Sequence, residues 1–509
     1  MELDMGAHGA GGTLETDVCI VGAGPAGLVV ATALAAGGYD VIVLESGSRE
    51  SDETIQGLND GETSGDPYVG LRETRYRQLG GATSMWNTRI PGGVGAKYTP
   101  LDPIDFTQRV ADPLSGWPMT YEDLEPFYRR AQTICGLGSF AYHAADWHGK
   151  GREPLTTVAP ELESRVYQFG TRASLVEPML RALHGASNVR LHAQATVQRL
   201  EVNAAGRRVS RAHVASPGGR LWHVAASQFV LAAGAIENAR LLLCSGTGPH
   251  GLGNGTGWVG RCFMEHPRDR SIVLRIASRR ALERLLFYDV HDGAGIVPVV
   301  GRLALSEQTM RGDGVLNASA TLLPLIRPAV RGARSVIGPL ARFPVVERWL
   351  PRGGHGWSRH PAPGAVVSGF SVLLNLEQAP DPENRLTLSS RRDALDVPRA
   401  ALHWRWRPRD EASRQRVRAI VSSALERSGL GSIERGSAVL DPNAHHHAGT
   451  TRMHADPAFG VVDSDARVHE LDNLHLAGAS VFPTSGFANP VLTIAALALR
   501  LSDRLLAMR

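Results

Sequence analysis

The stretch Asp17-Val-Cys-Ile-Val-Gly22-Ala-Gly24-Pro-Ala26-Gly27 carries an apolar, β-branched run into a loop whose glycines have the GxGxxG spacing. An Ala- and Leu-rich segment, Ala26 to Gly37, follows, and a second strand-like run, Asp40 to Glu45, closes the unit. Strand, helix and strand in that order, at the length a parallel crossover needs, predict a βαβ unit with a nucleotide held at the loop. Gly22 makes the tight turn, Gly24 lets pyrophosphate approach the backbone, and Gly27 lets the helix pack on the strand. The N–H groups of the helix N-terminus then meet the phosphates. Glu45 ends the second strand where an acid is expected to grip a ribose hydroxyl.

Working outward, Gln228 to Ala233 forms another apolar strand that runs into Gly234-Ala-Ile-Glu-Asn and a Leu-rich helix. Here the chain resembles the flavoprotein oxidoreductases with two dinucleotide-binding-type domains, whose sheet returns beneath the FAD after such a strand, a return that a nicotinamide dehydrogenase is not expected to need. The chain has 509 residues, 43% apolar and 20% charged, enough for two intertwined domains. Its net charge is only +4, and its arginines are scattered without interleaved aromatics, which argues against a nucleic-acid partner. No apolar run is long enough to span a bilayer and no export signal is legible, so stable membrane insertion is not expected and a cytoplasmic location is. The four cysteines, Cys19, Cys135, Cys244 and Cys262, lie far apart and fit small buried hydrophobes in a reducing compartment.

Three further stretches carry a resemblance. They are Arg77-Gln-Leu-Gly80-Gly81-Ala-Thr-Ser84-Met85-Trp-Asn87, His446-His447-Ala-Gly449-Thr450-Thr451-Arg452-Met453, and Asn489-Pro490-Val-Leu-Thr493. In order and spacing, from about residue 15 to the end, the chain resembles the glucose-methanol-choline oxidoreductases, and among them the bacterial pyranose-oxidase-like and glycoside 3-oxidase-like enzymes. The resemblance implies an α/β fold: a Rossmann-like FAD-binding domain interleaved with an α+β substrate-binding domain. It divides the chain into 15–106, 190–275 and 440–509 for FAD, 107–189 and 276–439 for substrate, and 1–14 as a flexible N-terminus.

It also implies roles. The loop Arg77 to Asn87 covers the flavin, with the backbone of Gly80, Gly81 and the Ser84 turn available to it. Pyranose oxidases of fungi carry a covalent flavin on a histidine next to the tryptophan, where this chain has Met85. A thioether is a poor nucleophile for that linkage, so dissociable FAD is expected. Val197 matches an adenine-contacting strand, within the strand-like run Asn188 to Val202. Gly478 and Ala479 match a pyrophosphate turn, although the acidic residue found just after it in many relatives is missing. Asn489, Pro490 and Thr493 open a helix aimed at the flavin.

His446 is singled out from its neighbours by the H-x-x-G-T pattern. A neutral imidazole is suited to withdraw a hydroxyl proton as hydride leaves the carbinol carbon for flavin N5, which makes His446 the expected general base and Asn489 its catalytic partner. Three adjacent histidines also raise a metal, but consecutive residues converge on one side only if the backbone is unusual, so none is expected. Asn489 before Pro490 also reads as a helix cap, and both readings can hold together. The expected substrate is a small-molecule alcohol, with a secondary hydroxyl on a sugar or glycoside favoured over a non-sugar alcohol of natural-product metabolism. Oxygen or another acceptor takes the electrons, and nonredox lyase chemistry on the same scaffold is the rival class. The arginine-rich, proline-broken stretch Leu325 to Pro363 reads as a lid or an insertion.

Overall fold

A computed structural model describes residues 12–508 apart from 91–92, 110–111, 148, 150, 217, 247, 249, 294–296, 328–355 and 361. The run ahead of the glycine loop forms the strand Thr13–Val21, with its last four residues buried. It starts inside the stretch expected to be an N-terminal tail, because Thr13 and Leu14 are in register with His223 and Val224 of the strand Arg220–Leu231. The helix Pro25–Ala36 begins with proline, whose fixed φ suits a first helical position and whose missing N–H is not needed there. Val41–Leu44 then pairs parallel with Thr13–Val21, completing the βαβ unit.

The run from 188 to 202 is two strands rather than one. Gln194 takes a left-handed φ of 53° and breaks it. Val189–His192 pairs parallel with Val41–Leu44, whereas Thr196–Val202 pairs antiparallel with Val209–Ser216 beyond the other side of the sheet. The resulting seven-stranded sheet also takes Leu474–Leu476 alongside Arg220–Leu231. Parallel strands therefore end together at Val21, Leu44, Leu231 and Leu476, the edge at which open α/β sheets bind ligands. Val18, Ile20, Val43, Phe229, Leu231 and Leu474 are completely buried in it, each contributing about 1.5–3 kcal/mol of transfer free energy.

The second large sheet has nine strands, antiparallel throughout. Thr88–Ile90, Gly93–Tyr98, Leu162–Thr171, Val297–Leu305, Ala318–Ile326, Val367–Leu376, Arg268–Ile276 and Gly431–Asp441 follow in that order, with Val290–Gly293 beside Val297–Leu305. Its strands at 88–98 and at 268 onward come from segments expected to lie on the FAD side of the domain division. Most of the arginine-rich stretch falls outside the described residues. Among the described residues, no helix is long and apolar enough to cross a membrane.

Candidate active site

A cavity of about 520 Å³ opens between the two large sheets, at the strand ends just described. Gly22, Gly24, Ala26, Glu45, Arg77, Gly81, Met85, Asn87, Val197, Gly234, His446, Gly478, Ala479, Asn489 and Pro490 all line it. Four expected site residues stand behind this surface. A Cβ on Gly27 would lie 1.9 Å from the Gly22 carbonyl oxygen, so Gly27 serves helix–strand packing. The Gly80 N–H donates to the Ala23 carbonyl at 2.9 Å and ties the two loops together. The Ser84 hydroxyl is buried without a hydrogen-bond partner among the described residues, and Thr493 shares a hydrogen bond of 2.9 Å with the Tyr128 hydroxyl.

The residues present fit FAD. Gly24 heads the helix Pro25–Ala36 with no side chain capping it, and the nearest atom a Cβ there would meet is the Gly81 Cα at 4.0 Å. That open, backbone-lined cradle at a helix N-terminus is what a pyrophosphate requires. Glu45 accepts the Ala23 N–H at 2.9 Å and the Gly47 N–H at 2.8 Å, fixing its carboxylate at the cavity wall. Asn238 accepts the Ala233 N–H at 2.9 Å and donates to the Ser480 hydroxyl at 3.0 Å, so the turns at Gly234 and Gly478 are held to one another. Glu237 sits among guanidiniums, 2.5 Å from Arg75 and 2.8 Å from Arg77. Burial works against its ionisation, but Arg77, Arg240 and Arg75 hold its carboxyl well below the usual carboxylate range.

The H-x-x-G-T segment has a mechanical explanation. Gly449 has a φ of +86°, and a Cβ on it would sit 2.2 Å from the Cys262 carbonyl oxygen. Thr450, fully buried, donates from its hydroxyl to the Ala235 carbonyl at 2.6 Å. Met264 and Ala448 exchange backbone hydrogen bonds of 3.0 and 3.1 Å. This close pairing places Glu265 and His266 directly beside His446 and His447.

A chain of hydrogen bonds results. The His266 ring presents Nε2 to the Ser485 carbonyl at 3.2 Å, and a carbonyl only accepts, so Nε2 carries the proton. Burial pushes the His266 pKa down to about 4, which leaves the ring neutral and Nδ1 bare. His446 Nδ1 lies 3.0 Å from that bare nitrogen and must donate to it. Burial, together with His266, Arg268 and the flanking histidines, also holds the His446 ring well below its ordinary pKa. His446 is thus neutral, and its unprotonated Nε2 accepts an N–H of the Asn489 amide at 3.1 Å. The helix that follows is capped by Pro490 and runs Val491–Leu506, so the Asn489 side chain turns to His446 instead of capping.

The loop that carries Asn489 is clamped from behind. Gly486 has a φ of +53°, and a Cβ there would fall 2.5 Å from an Asp105 carboxylate oxygen. The Thr484 hydroxyl donates to the Asp105 carbonyl at 2.6 Å.

The consecutive histidines do converge, because His445 adopts an unusual φ of +61°. Ligand atoms of Glu265, His445 and His447 all lie within 4.8 Å of one another. The Tyr68 hydroxyl occupies part of that space, donating to Glu265 at 2.8 Å and lying 3.1 Å from His447 Nε2. Glu265 also accepts the backbone N–H groups of His266 at 3.0 Å and His446 at 3.1 Å. Burial nevertheless pushes its carboxyl up to about 7.

Models of the GMC oxidoreductase family match two separated regions of this chain, residues 160–268 and 380–498, and an FAD binding domain matches residues 15–60. The chain belongs to the GMC oxidoreductases. As a member it is an FAD-dependent oxidoreductase acting on CH–OH donors. It is 25% identical to the fructose dehydrogenase large subunit of Gluconobacter japonicus over 97% of this chain and 98% of the relative. With paromamine 6'-oxidase of Streptomyces fradiae it shares 26% identity over 95% of this chain and 90% of the relative. Over 26% of this chain and 27% of the relative it is 35% identical to C-glycoside 3-oxidase of Arthrobacter globiformis. Among solved structures, pyridoxine 4-oxidase superposes with a TM-score of 0.57 at 19% identity, covering 96% of this chain and 98% of that one, a likeness of fold.

Sequence reading missed His266 and Glu265, which follow no motif quoted for the site. It also missed the wall that this GMC oxidoreductase builds from its nine-stranded sheet, where Thr88, Lys97, Arg268, Leu373 and Asn375 line the cavity. Leu373 and Asn375 are two apart on one strand and face the same way, as the strand period requires. Period-two patterning was the only signal available for them.

Proposed function

We propose that this protein oxidises a secondary hydroxyl of a sugar or glycoside to the ketone, with His446 as general base and Asn489 orienting the hydroxyl. The carrying observation is the unprotonated Nε2 of His446, paired with the Asn489 amide at 3.1 Å, in the same cavity as the Gly24 cradle. Bound FAD supplies the hydride acceptor. The chain's own part is the proton. Asn489 donates to the substrate oxygen, His446 Nε2 accepts the hydroxyl proton, and His266 keeps His446 Nδ1 protonated so that only Nε2 is available. A lowered pKa keeps that base unprotonated well into acid.

The sugar reading draws support from relatives named for fructose, paromamine and C-glycosides. FAD is held without a covalent bond, because Met85 stands at the cavity where a nucleophilic side chain is needed. Acid precipitation of the holoenzyme then releases all the flavin into the supernatant; colour retained in the pellet overturns this point.

The deciding experiment is anaerobic. Purified protein is mixed with monosaccharides, C- and O-glycosides, polyols and simple alcohols while the visible flavin band is followed. Bleaching by sugars or glycosides supports the assignment, and recovery in air with peroxide makes oxygen the acceptor. Bleaching confined to non-sugar alcohols moves the substrate class, and no bleaching by any alcohol favours the lyase alternative.

A further inference from the structure

The cavity's two carboxylates are both engaged by the protein, Glu45 by backbone N–H groups and Glu237 by arginines. Its cations are not all matched. Arg268 is paired with Asp441 at 2.6 Å and with the Asn443 carbonyl at 2.6 Å. Lys97, on the strand Gly93–Tyr98, extends its ammonium over the Tyr167 ring at 5.0 Å and has no carboxylate or hydrogen-bond acceptor among the described residues. The Arg302 guanidinium lies over the same ring, also at 5.0 Å, so the ring is shared between two cations. Lys97 is half-buried in the cavity wall, and beyond its share of the Tyr167 ring no counter-charge among the described residues offsets the desolvation of its ammonium.

We propose that Lys97 is the receptor for an oxyanion carried by the substrate, a carboxylate or phosphate on the sugar ring, so that acidic sugars and their glycosides are preferred over neutral ones. This deepens, and rests on, the reading of the cavity as a sugar-oxidising chamber. The wall also discriminates against amino sugars, since a substrate ammonium meets Lys97 and Arg268 with no free carboxylate to receive it. Burial, with Arg268, Arg302 and Arg270 nearby, brings the Lys97 ammonium down to about 8. The preference for anions is therefore complete below that pH and fades as pH rises through it.

The test uses holoenzyme and three matched probes: methyl glucoside, methyl glucuronide and methyl glucoside 6-phosphate. Their ring secondary hydroxyls are the same. Anaerobic bleaching rates and the shift each probe causes in the oxidised flavin spectrum are both measured, for the natural protein, Lys97→Met and Lys97→Arg. The expected result is an anion preference of about tenfold or more in the natural protein, the size of a charge-assisted hydrogen bond. Lys97→Met brings the ratio to about one and Lys97→Arg retains it; the larger ratio between glucuronide and phosphate identifies the oxyanion. Equal behaviour of neutral and acidic probes, or a preference unchanged in Lys97→Met, overturns the proposal. If no sugar bleaches the flavin but the acidic probes still shift its spectrum in a Lys97-dependent way, the sugar-oxidation reading fails and the anion receptor stands.

Discussion

At the scale of single residues, the reactive lone pair is set three groups away from the substrate, by a backbone carbonyl. Ser485 fixes the His266 tautomer, and His266 fixes that of His446. His446→Ala is expected to retain FAD and to lose about 100-fold or more in the rate of flavin reduction by alcohol, read anaerobically by stopped flow. A variant reducing its flavin at the normal rate places the base elsewhere. His266→Ala is expected to lower the same rate about tenfold or more with little change in substrate affinity, and His266→Asn, which supplies an acceptor oxygen, recovers part of it. Loss of affinity without loss of rate contradicts a positioning role. Neither histidine's role in this chain is visible from composition. His446 was legible from its pattern, whereas His266 meets it across 180 residues of sequence through a backbone bridge that no local signal announces.

Glu265 makes a prediction about stability. Its carboxyl rises from 4.5 to about 7 on folding, so the folded protein binds this proton more tightly than the unfolded chain. The stabilisation is fully present below about 4.5 and is lost as pH climbs through about 7. It amounts to something on the order of 3 kcal/mol across that window. Glu265→Gln keeps an acceptor for the two backbone N–H groups and removes the titration. The variant's Tm is expected to fall less than the natural protein's between pH 5 and pH 8 on the scale set by that shift; parallel slopes refute it.

At the scale of elements, the loop 483–489 decides whether base and amide meet. Gly486→Ala forces a side chain against the Asp105 carboxylate at a φ of +53°. Strain of this kind costs about 1–3 kcal/mol or displaces the backbone. The Ser485 carbonyl is the nearest group to move, and with it the pin on His266. Flavin reduction should slow about tenfold while FAD stays bound; unaltered reduction means the loop tolerates the methyl group. The βαβ unit was legible because its glycines and apolar runs are local. The helix at Val491–Leu506 was legible too, but Asn489 had two readings, cap or site, and only the tertiary position of His446 separates them.

At the scale of the whole molecule, the cofactor joins parts of the chain far apart in sequence. The helix N-terminus at Gly24, the turns at Gly234 and Gly478 and the loop at Gly81 meet around one cavity. Removing FAD is expected to lower the Tm, and adding it back to raise the Tm with the logarithm of its concentration, by roughly 3 kcal/mol of stability at a hundredfold excess over Kd. Gly24→Val should give colourless protein that does not show this rise. A yellow Gly24→Val variant removes the proposed cradle. The antiparallel sheet beside the cavity draws strands from both sides of the domain division that the resemblance implied. Its strands pair over long sequence separations, and the lysine it places in the cavity carries no motif.

The cavity's two walls come from different sheets, and that has a consequence for how the enzyme can change its diet. His266 lies just ahead of the antiparallel strand Arg268–Ile276 and His446 just after the antiparallel strand Gly431–Asp441, and both are stitched to Ser485 and Asn489, which follow the parallel strand Leu474–Leu476. The opposing wall of Lys97, Leu373 and Asn375 belongs to antiparallel strands with no hydrogen bond to that relay among the described residues. Substitutions at Lys97, Leu373 and Asn375, but not at Arg268, which lowers the His446 pKa, can therefore trade one hydroxyl-bearing molecule for another without retuning the relay. Libraries aimed at new specificities should be built there, with the histidine loops left untouched.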